Sequence, residues 1–300
     1  MMSTMTLAQL GEDALVRRLT EDLPLGADVV TGAGDDCAIV KSAGKSWLQL
    51  LKTDCVVEGV HFLPDTPAEQ TGWKAMARAV SDIAAMGGEP QHVLVTLLAP
   101  PVCTVGKIEA LYQGLRTCAE RFGVSIIGGE TSRAPMLAVV ISMTGKVKAT
   151  HVARRDGAKA GDFIFVTGKL GGSSSGHHLD FVPRVAEAQW LVEHHRIHAM
   201  MDLSDGLGKD LPRMAAASGV DFIMDDESLP AQEGCTQGQA WSDGEDYELM
   251  FAVAPRAAKR LIAGWAKTFA DVTLTRIGRF VARGAGRVPA FQSGGWEHFS

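Results

Sequence analysis

Apolar residues recur at helical spacing most clearly over residues 67–86, where Trp73, Met76, Ala77, Val80, Ile83 and Ala84 share one stripe. Thr66 is the expected N-cap, with Pro67 as the first helical residue and Glu69 as the third. That is a capping box with proline, and Gly87-Gly88 ends the helix. A second helix is expected over 105–122, with Val105, Ile108, Leu111, Leu115, Ala119 and Phe122 along one side and Gly123 as its stop. Around these lie β-like runs at 37–41, 47–57, 91–99, 124–128 and 136–145. Strands followed by long helices imply an α/β architecture. Over 146–160 the apolar periodicity lapses while charge and glycine rise, which places a domain boundary there and divides the chain into 1–148 and 149–300. The pattern restarts with the strand "FIFVTG". Helices are expected near 183–196, 207–218 and 255–269, and strands near 247–254 and 271–278.

Composition narrows the class. The chain has 300 residues, 46% of them apolar and 21% charged, enough to bury a substantial core without covalent staples. A net charge of −6 argues against a nucleic-acid partner. Five cysteines, none in a C-x-x-C, point to free, mostly buried thiols in a reducing compartment. The opening "MMSTMTLAQLGEDALVRRL" reads as an amphipathic helix rather than a signal peptide. No apolar run approaches the ~20 residues of a membrane span. These features predict a cytoplasmic protein with no membrane partner.

The candidate chemistry lies in acids at turns and element ends. Asp35-Asp36 follow a glycine turn, Asp54 sits in "LQLLKTD", Asp82 in "AVSDIAAMGG" and Glu130 after "IIGG". Asp202 and Asp205 sit in "DLSDG" with Asp210 beyond, and Glu245-Asp246 in "GEDYEL". In an α/β fold, strand ends are where ligands collect. Converging carboxylates repel, and a hard divalent cation such as Mg²⁺ offsets that repulsion while bridging to phosphates. Taken singly, each acid reads as a solvated turn residue or a helix cap. Asp82 also reads as the i,i+4 surface partner of Arg78. Several familiar signatures fail. "KSAGKS" lacks the first P-loop glycine because position 39 is Ile39. "GAGDDC" lacks the third glycine of a dinucleotide fingerprint and enters a strand. His194, His195 and His198 form no H-E-x-x-H. The glycine-serine run "TGKLGGSSSG", 167–176, reads equally as a phosphate cradle or a flexible loop.

The ordered set "GDDCAIV", "KTDCVVEGVHF", "AVSDIAAMGGEP", "IIGGETSRAP", "DGAKAGDFIFVTG", "MDLSDGL", "GEDYELMF" and "GGWEHF" spans nearly the whole chain. It resembles the thiamine-monophosphate kinases of the PurM-like, aminoimidazole ribonucleotide synthetase-related superfamily. The resemblance implies an α/β (α+β) fold of two domains, the first of which also forms a homodimer. It implies ATP-dependent phosphorylation of thiamine monophosphate to the diphosphate, with several Mg²⁺ ions and, as a further candidate, K⁺. No side-chain nucleophile is implied. Asp36, Thr53, Asp54, Asp82, Glu130, Asp202 and Asp205 match metal-site positions. Tyr112, Gly129, Glu130, Arg155 and Ser204 match ATP-contacting positions. His61, Phe62, Glu245 and Trp296 match substrate positions.

Three departures from the family pattern stand out: Glu130 where aspartate is usual, Lys52 before Thr53-Asp54, and a short segment between Gly172 and Asp202. A diverged kinase or ligase of the same fold, or a non-catalytic Mg–nucleotide sensor, are the alternative readings.

Overall fold

A computed structural model describes residues 5–225, 229–286 and 294–296. The N-terminal helical stretch is split in two, α1 (Leu7–Leu10) and α2 (Glu12–Thr20), because the chain turns at Gly11 with φ 79°. A six-stranded sheet follows, built from β1 (Val29–Thr31), β2 (Ala38–Lys41), β3 (Trp47–Val57), β4 (Glu89–Ala99), β5 (Ser125–Arg133) and β6 (Ala138–Lys148), in the order β1-β2-β3-β6-β4-β5. Its backbone is the antiparallel pairing of β3 with β6, in register from Trp47↔Lys148 to Val57↔Ala138. The β4–β5 pair is parallel. That geometry needs a crossover, and α4 (Val105–Phe122) supplies it. Thr104 caps α4 by accepting from Lys107 N, and Gly123 ends it in the left-handed region.

The central helix is α3 (Ala68–Ala85). Its start differs from the expected capping box. Pro67 is itself the cap residue, extended at φ −52° and ψ 126°, and the Thr66 hydroxyl accepts instead from Leu63 N at 3.0 Å within the preceding turn. Two glycines let α3 and α4 touch backbone to backbone. A Cβ on Gly72 would lie 1.9 Å from Leu111 O, and one on Gly114 would lie 1.9 Å from Glu69 O.

The second sheet is wholly antiparallel, in the order β8-β10-β7-β11-β9. Its strands are β7 (Phe163–Thr167), β8 (Ala199–Asp202), β9 (Asp221–Met224), β10 (Leu249–Val253) and β11 (Leu274–Val281). Its helices are α5 (Val185–His194), α6 (Leu207–Ser218), α7 (Gln237–Ser242) and α8 (Pro255–Thr268). The short β1, β9 and α7 were not expected from the pattern. The segment 167–176 is not a featureless loop: it leads into two 3-10 turns, Ser173–Ser175 and His177–Leu179. Two buried clusters underlie the two sheets. A third joins Ala84 and Ala85, at the end of α3, to Phe165, Leu191, Phe251 and Leu261 of the second lobe. The helix α3 is therefore covered on one side by its own sheet and on another by the second lobe.

The five cysteines are free, as expected, but only Cys37 and Cys118 are buried. Among the described residues, no helix is long and apolar enough to cross a membrane.

Candidate functional site

The carboxylates of Asp36, Asp82 and Asp202 offer oxygens that all lie within 4.8 Å of one another, and all three residues are buried. Each comes from a different element. Asp36 sits in the turn between β1 and β2, Asp82 in the last part of α3, and Asp202 at the end of β8. Among the described residues, this is the one group of three or more acidic, histidine or cysteine side chains able to share an ion.

Neighbouring groups partly compensate the charge. Lys52 Nζ pairs with Asp82 at 2.7 Å, Ser81 Oγ donates to Asp202 at 2.5 Å, and Arg155 reaches across from the second lobe to Asp36. Asp35 accepts from the Arg155 and Asp36 backbone N–H groups. The compensation is incomplete, for Asp36 Oδ2 is buried without a partner. Burial and the neighbouring Asp36 push Asp202 and Asp35 up to about 7. Burial also raises Asp82, against the pull of Lys52. Asp82 is thus not the surface partner of Arg78. Arg78 pairs with Asp54 at 3.1 Å, and Asp82 turns to Lys52.

Beside the trio opens a cleft of about 690 Å³ between the lobes. Its wall includes His61, Phe62, Ser204, Asp205, Glu245 and Trp296, six of the residues singled out in the sequence. His61 follows β3, where its Nδ1 accepts from Val57 N at 3.1 Å. Asp205 is held by Arg213 at 2.5 Å, and its carbonyl accepts from Trp296 N at 3.0 Å. Glu245 adopts a left-handed backbone, φ 55°, pinned by its N–H to Ser204 O at 2.7 Å. The rest of the "GGWEHF" stretch beyond Trp296 lies outside the described residues.

Other expected residues lie apart from the trio. Thr53 and Glu130 are exposed, Thr53 on the side of β3 opposite Lys52 and Asp54, and the Glu130 carboxylate accepts from its neighbour Thr131 N. Gly129 lies against Val95, where a Cβ would meet the carbonyl at 1.8 Å. Tyr112 is part-buried on α4 against the first core. In the glycine-serine run, Gly171 N and Gly172 N already donate to Asp246 and Asp243, so those donors are not presented to a phosphate. His194 and His195 lie against Trp190, and His198 pairs with Asp162 at 2.7 Å.

Lys74, bonded to cleft-wall residues, and Tyr247, in the wall itself, escaped the sequence reading, whereas Asp210 was among its acids. Lys74, fully buried on α3, bonds His61 O, Glu245 and His178. Tyr247 stacks on Phe181 with ring centroids 4.0 Å apart. Asp210 accepts from the N–H groups of Ser204 and Asp205 and so shapes that loop. A signal was present in the row Lys74, Arg78, Asp82, at i, i+4 and i+8, which lines one side of a helix with charge.

The family models for AIR synthase related proteins match this chain, the N-terminal domain over residues 34–147 and the C-terminal domain over 159–290. The thiamine-monophosphate kinase of Rhodopirellula baltica is 37% identical over 288 residues, covering 90% of this chain and 88% of that protein. Its counterpart in Salmonella typhimurium is 35% identical, covering 81% and 82%. A solved structure of AaThiL complexed with AMPPCP and TMP superposes with a TM-score of 0.83 at 29% identity, covering 99% of this chain and 100% of that one. Acids converging between two lobes, beside a cleft walled by the expected substrate residues, occur in a chain that belongs to the thiamine-monophosphate kinase family of the AIR synthase-related proteins.

Proposed function

We propose that this chain transfers the γ-phosphoryl group of ATP to the phosphate of thiamine monophosphate, giving thiamine diphosphate and ADP. The observation that carries this reading is the adjacency of the buried acid trio to a cleft lined by His61, Phe62, Glu245 and Trp296.

The trio suits Mg²⁺ in its donor chemistry: oxygen ligands close enough to share an ion, and a buried Asp36 oxygen with no other partner. Asp36, Asp82 and Asp202 would hold it, with Asp54, Asp205, Thr53 and Glu130 as further family positions. When bound, such ions screen phosphate charge and support in-line transfer. A K⁺ site remains part of the family expectation.

The chain's own residues bind and orient. The attacking atom is a substrate phosphate oxygen, already largely ionised near neutral pH because its second pKa is about 6. No side-chain nucleophile is needed. Arg78, in the cleft wall, offers a cation to the incoming phosphate while held by Asp54. The Trp296 indole, 46% exposed, suits a cationic thiazolium, an attraction of ~0.5–2 kcal/mol. Residues 1–148 form the ATP- and metal-binding, dimerising domain and 149–300 the domain that completes the site. Tyr112, Gly129, Arg155 and Ser204 serve ATP in this reading, and the enzyme works in the cytoplasm as a homodimer.

The deciding experiment measures ADP release by purified protein with Mg²⁺ and ATP, with and without thiamine monophosphate. Release that depends on this acceptor is expected. ATP binding without turnover would replace the proposal with a nucleotide sensor. Turnover only with another phosphorylated acceptor would make the chain a diverged kinase.

A further inference from the structure

Lys74 has three N–H donors and no acceptor, and three groups receive them: His61 O at 2.6 Å, Glu245 Oε1 at 2.7 Å and His178 Nδ1 at 2.5 Å. The first two can only accept. With the ammonium charged, the third bond requires His178 Nδ1 to accept as well. The remaining proton of the neutral imidazole must then sit on Nε2. Burial and the adjacent Lys74 charge pull His178 below its ordinary pKa, which keeps the ring neutral. His178 therefore presents one fixed donor, and it does so from the wall of the cleft. Glu245 stands beside it, Oε2 3.3 Å from His178 Nδ1, with Oε1 held by Lys74. The Glu245 carboxylate and the His178 imidazole thus lie side by side, both held by one lysine, with the imidazole's donor on the ring nitrogen that Lys74 does not touch.

The position along the cleft says which part of a ligand meets them. Lys74 and Asp82 are two helical turns apart on α3, about 12 Å at 1.5 Å per residue, with Arg78 between. The phosphate belongs at the Arg78–Asp82 end. The Lys74 end is left to the part of the acceptor farthest from its phosphate. In thiamine monophosphate that part is the aminopyrimidine, whose edge pairs an amine donor with a ring-nitrogen acceptor.

Resting on the thiamine-monophosphate reading, we propose that His178 is an acceptor-contacting residue that, with Glu245, reads the aminopyrimidine edge, while Lys74 acts as the positioning residue that fixes both. Glu245 accepts from the amine N–H, and His178 Nε2–H donates to the ring nitrogen. His178 lies in the short segment between Gly172 and Asp202.

Two substitutions separate contact from support. In H178N the amide oxygen keeps an acceptor near the Nδ1 position but loses the far donor. In H178Q a donor remains near the Nε2 position. If His178 touches the acceptor, H178N should raise the KM for thiamine monophosphate about tenfold, the loss of one hydrogen bond in a closed site. The KM for ATP should stay level, and H178Q should remain within about threefold of the parent chain. The 4-oxo analogue, whose edge has donor and acceptor reversed, should be a poor acceptor for the parent and discriminated less by H178N. Melting curves check that both variants fold. The opposite order, with H178N normal and H178Q impaired, would show that His178 only supports Lys74 and would overturn the proposal. An unchanged acceptor KM in both would also overturn it. A parent chain that releases no ADP with thiamine monophosphate would remove the functional reading itself, and this proposal with it.

Discussion

Burial and the charge of Asp36 raise the Asp202 carboxyl to about 7, well above the 3.8 of the free side chain. The folded chain therefore holds this proton more tightly than the unfolded chain does. The associated stability is complete below the unfolded pKa and is lost as pH rises through about 7. Asp82 is shifted in the same direction. In EDTA, the melting temperature should fall as pH rises from about 4 to about 7 and level off above that, and Mg²⁺ should restore it at neutral pH. Asp202→Asn removes one of the three repelling charges. It should raise the melting temperature in EDTA at about pH 8 and cut turnover more than ~10-fold. Unchanged turnover would take Asp202 off the site. Lys74 shows the opposite shift, drawn down to about 8 by burial although Glu245 pulls it back up. Above that pH it loses a donor and the charge facing Glu245 and His178, so kcat/KM for the acceptor should decline as pH passes about 8. The phosphate's own ionisation near pH 6 lies well below that limb. Asp36, Asp82 and Asp202 were legible in the sequence because acids gathered at turns and strand ends repel one another and add nothing to a core, so that as a set they call for a cation. Lys74 and His178 were not. A lysine off the apolar stripe reads as solvent-facing, and only the covering of α3 by the second lobe makes it buried.

The same covering explains what was legible among the elements. The bounds of α3, α4, β3 and α6 followed closely from periodicity and glycine stops, since each has one apolar face and a clear end. The burial of Asp82 did not, because periodicity reports the face toward a helix's own sheet and is silent about a second lobe. The short β9 and β1 carry too few residues for a period. Helix α7 had a readable start in the Thr236–Gln239 capping box, but six residues offer no stripe. The α3–α4 contact makes a separate prediction. Gly114→Ala places a methyl group where Glu69 O now lies, 1.9 Å away, so the helices must part. Overpacking of this kind costs about 1–3 kcal/mol. The melting temperature should drop accordingly, and turnover should fall too, because α3 carries Lys74, Arg78 and Asp82 together. A variant with normal stability would mean that the helices adjust without moving that row.

At the scale of the whole molecule, among the described residues, the first sheet is covered by α3 and α4 on one face only. Side chains alternate across a strand. Leu50, Val93, Val95, Ile141 and Met143 are buried toward the helices, while Leu51, Leu94 and Ile127 are 40%, 47% and 61% exposed on the other side. Leu51, Leu94 and Ile127 line one shallow depression with Thr53, Ser142 and Thr144. An antiparallel face can meet water when its outward residues are polar, but contiguous exposed apolar positions mark an interaction surface. The homodimer reading gives dimerisation to this first domain, and a second copy of the chain is the partner expected on this face. Light scattering coupled to gel filtration should then give about twice the 31.9 kDa of one chain for the parent. Ile127→Glu should shift that mass toward a single chain, because a carboxylate at the centre of the patch would have to be buried unpaired. Ile127 lies on β5 beside the strand that carries Leu94, outside the α3 row and the cleft, so the variant should remain folded by its melting curve. If it dimerises as the parent does, the copies meet elsewhere. If the parent itself has the mass of one chain, the open face serves another role.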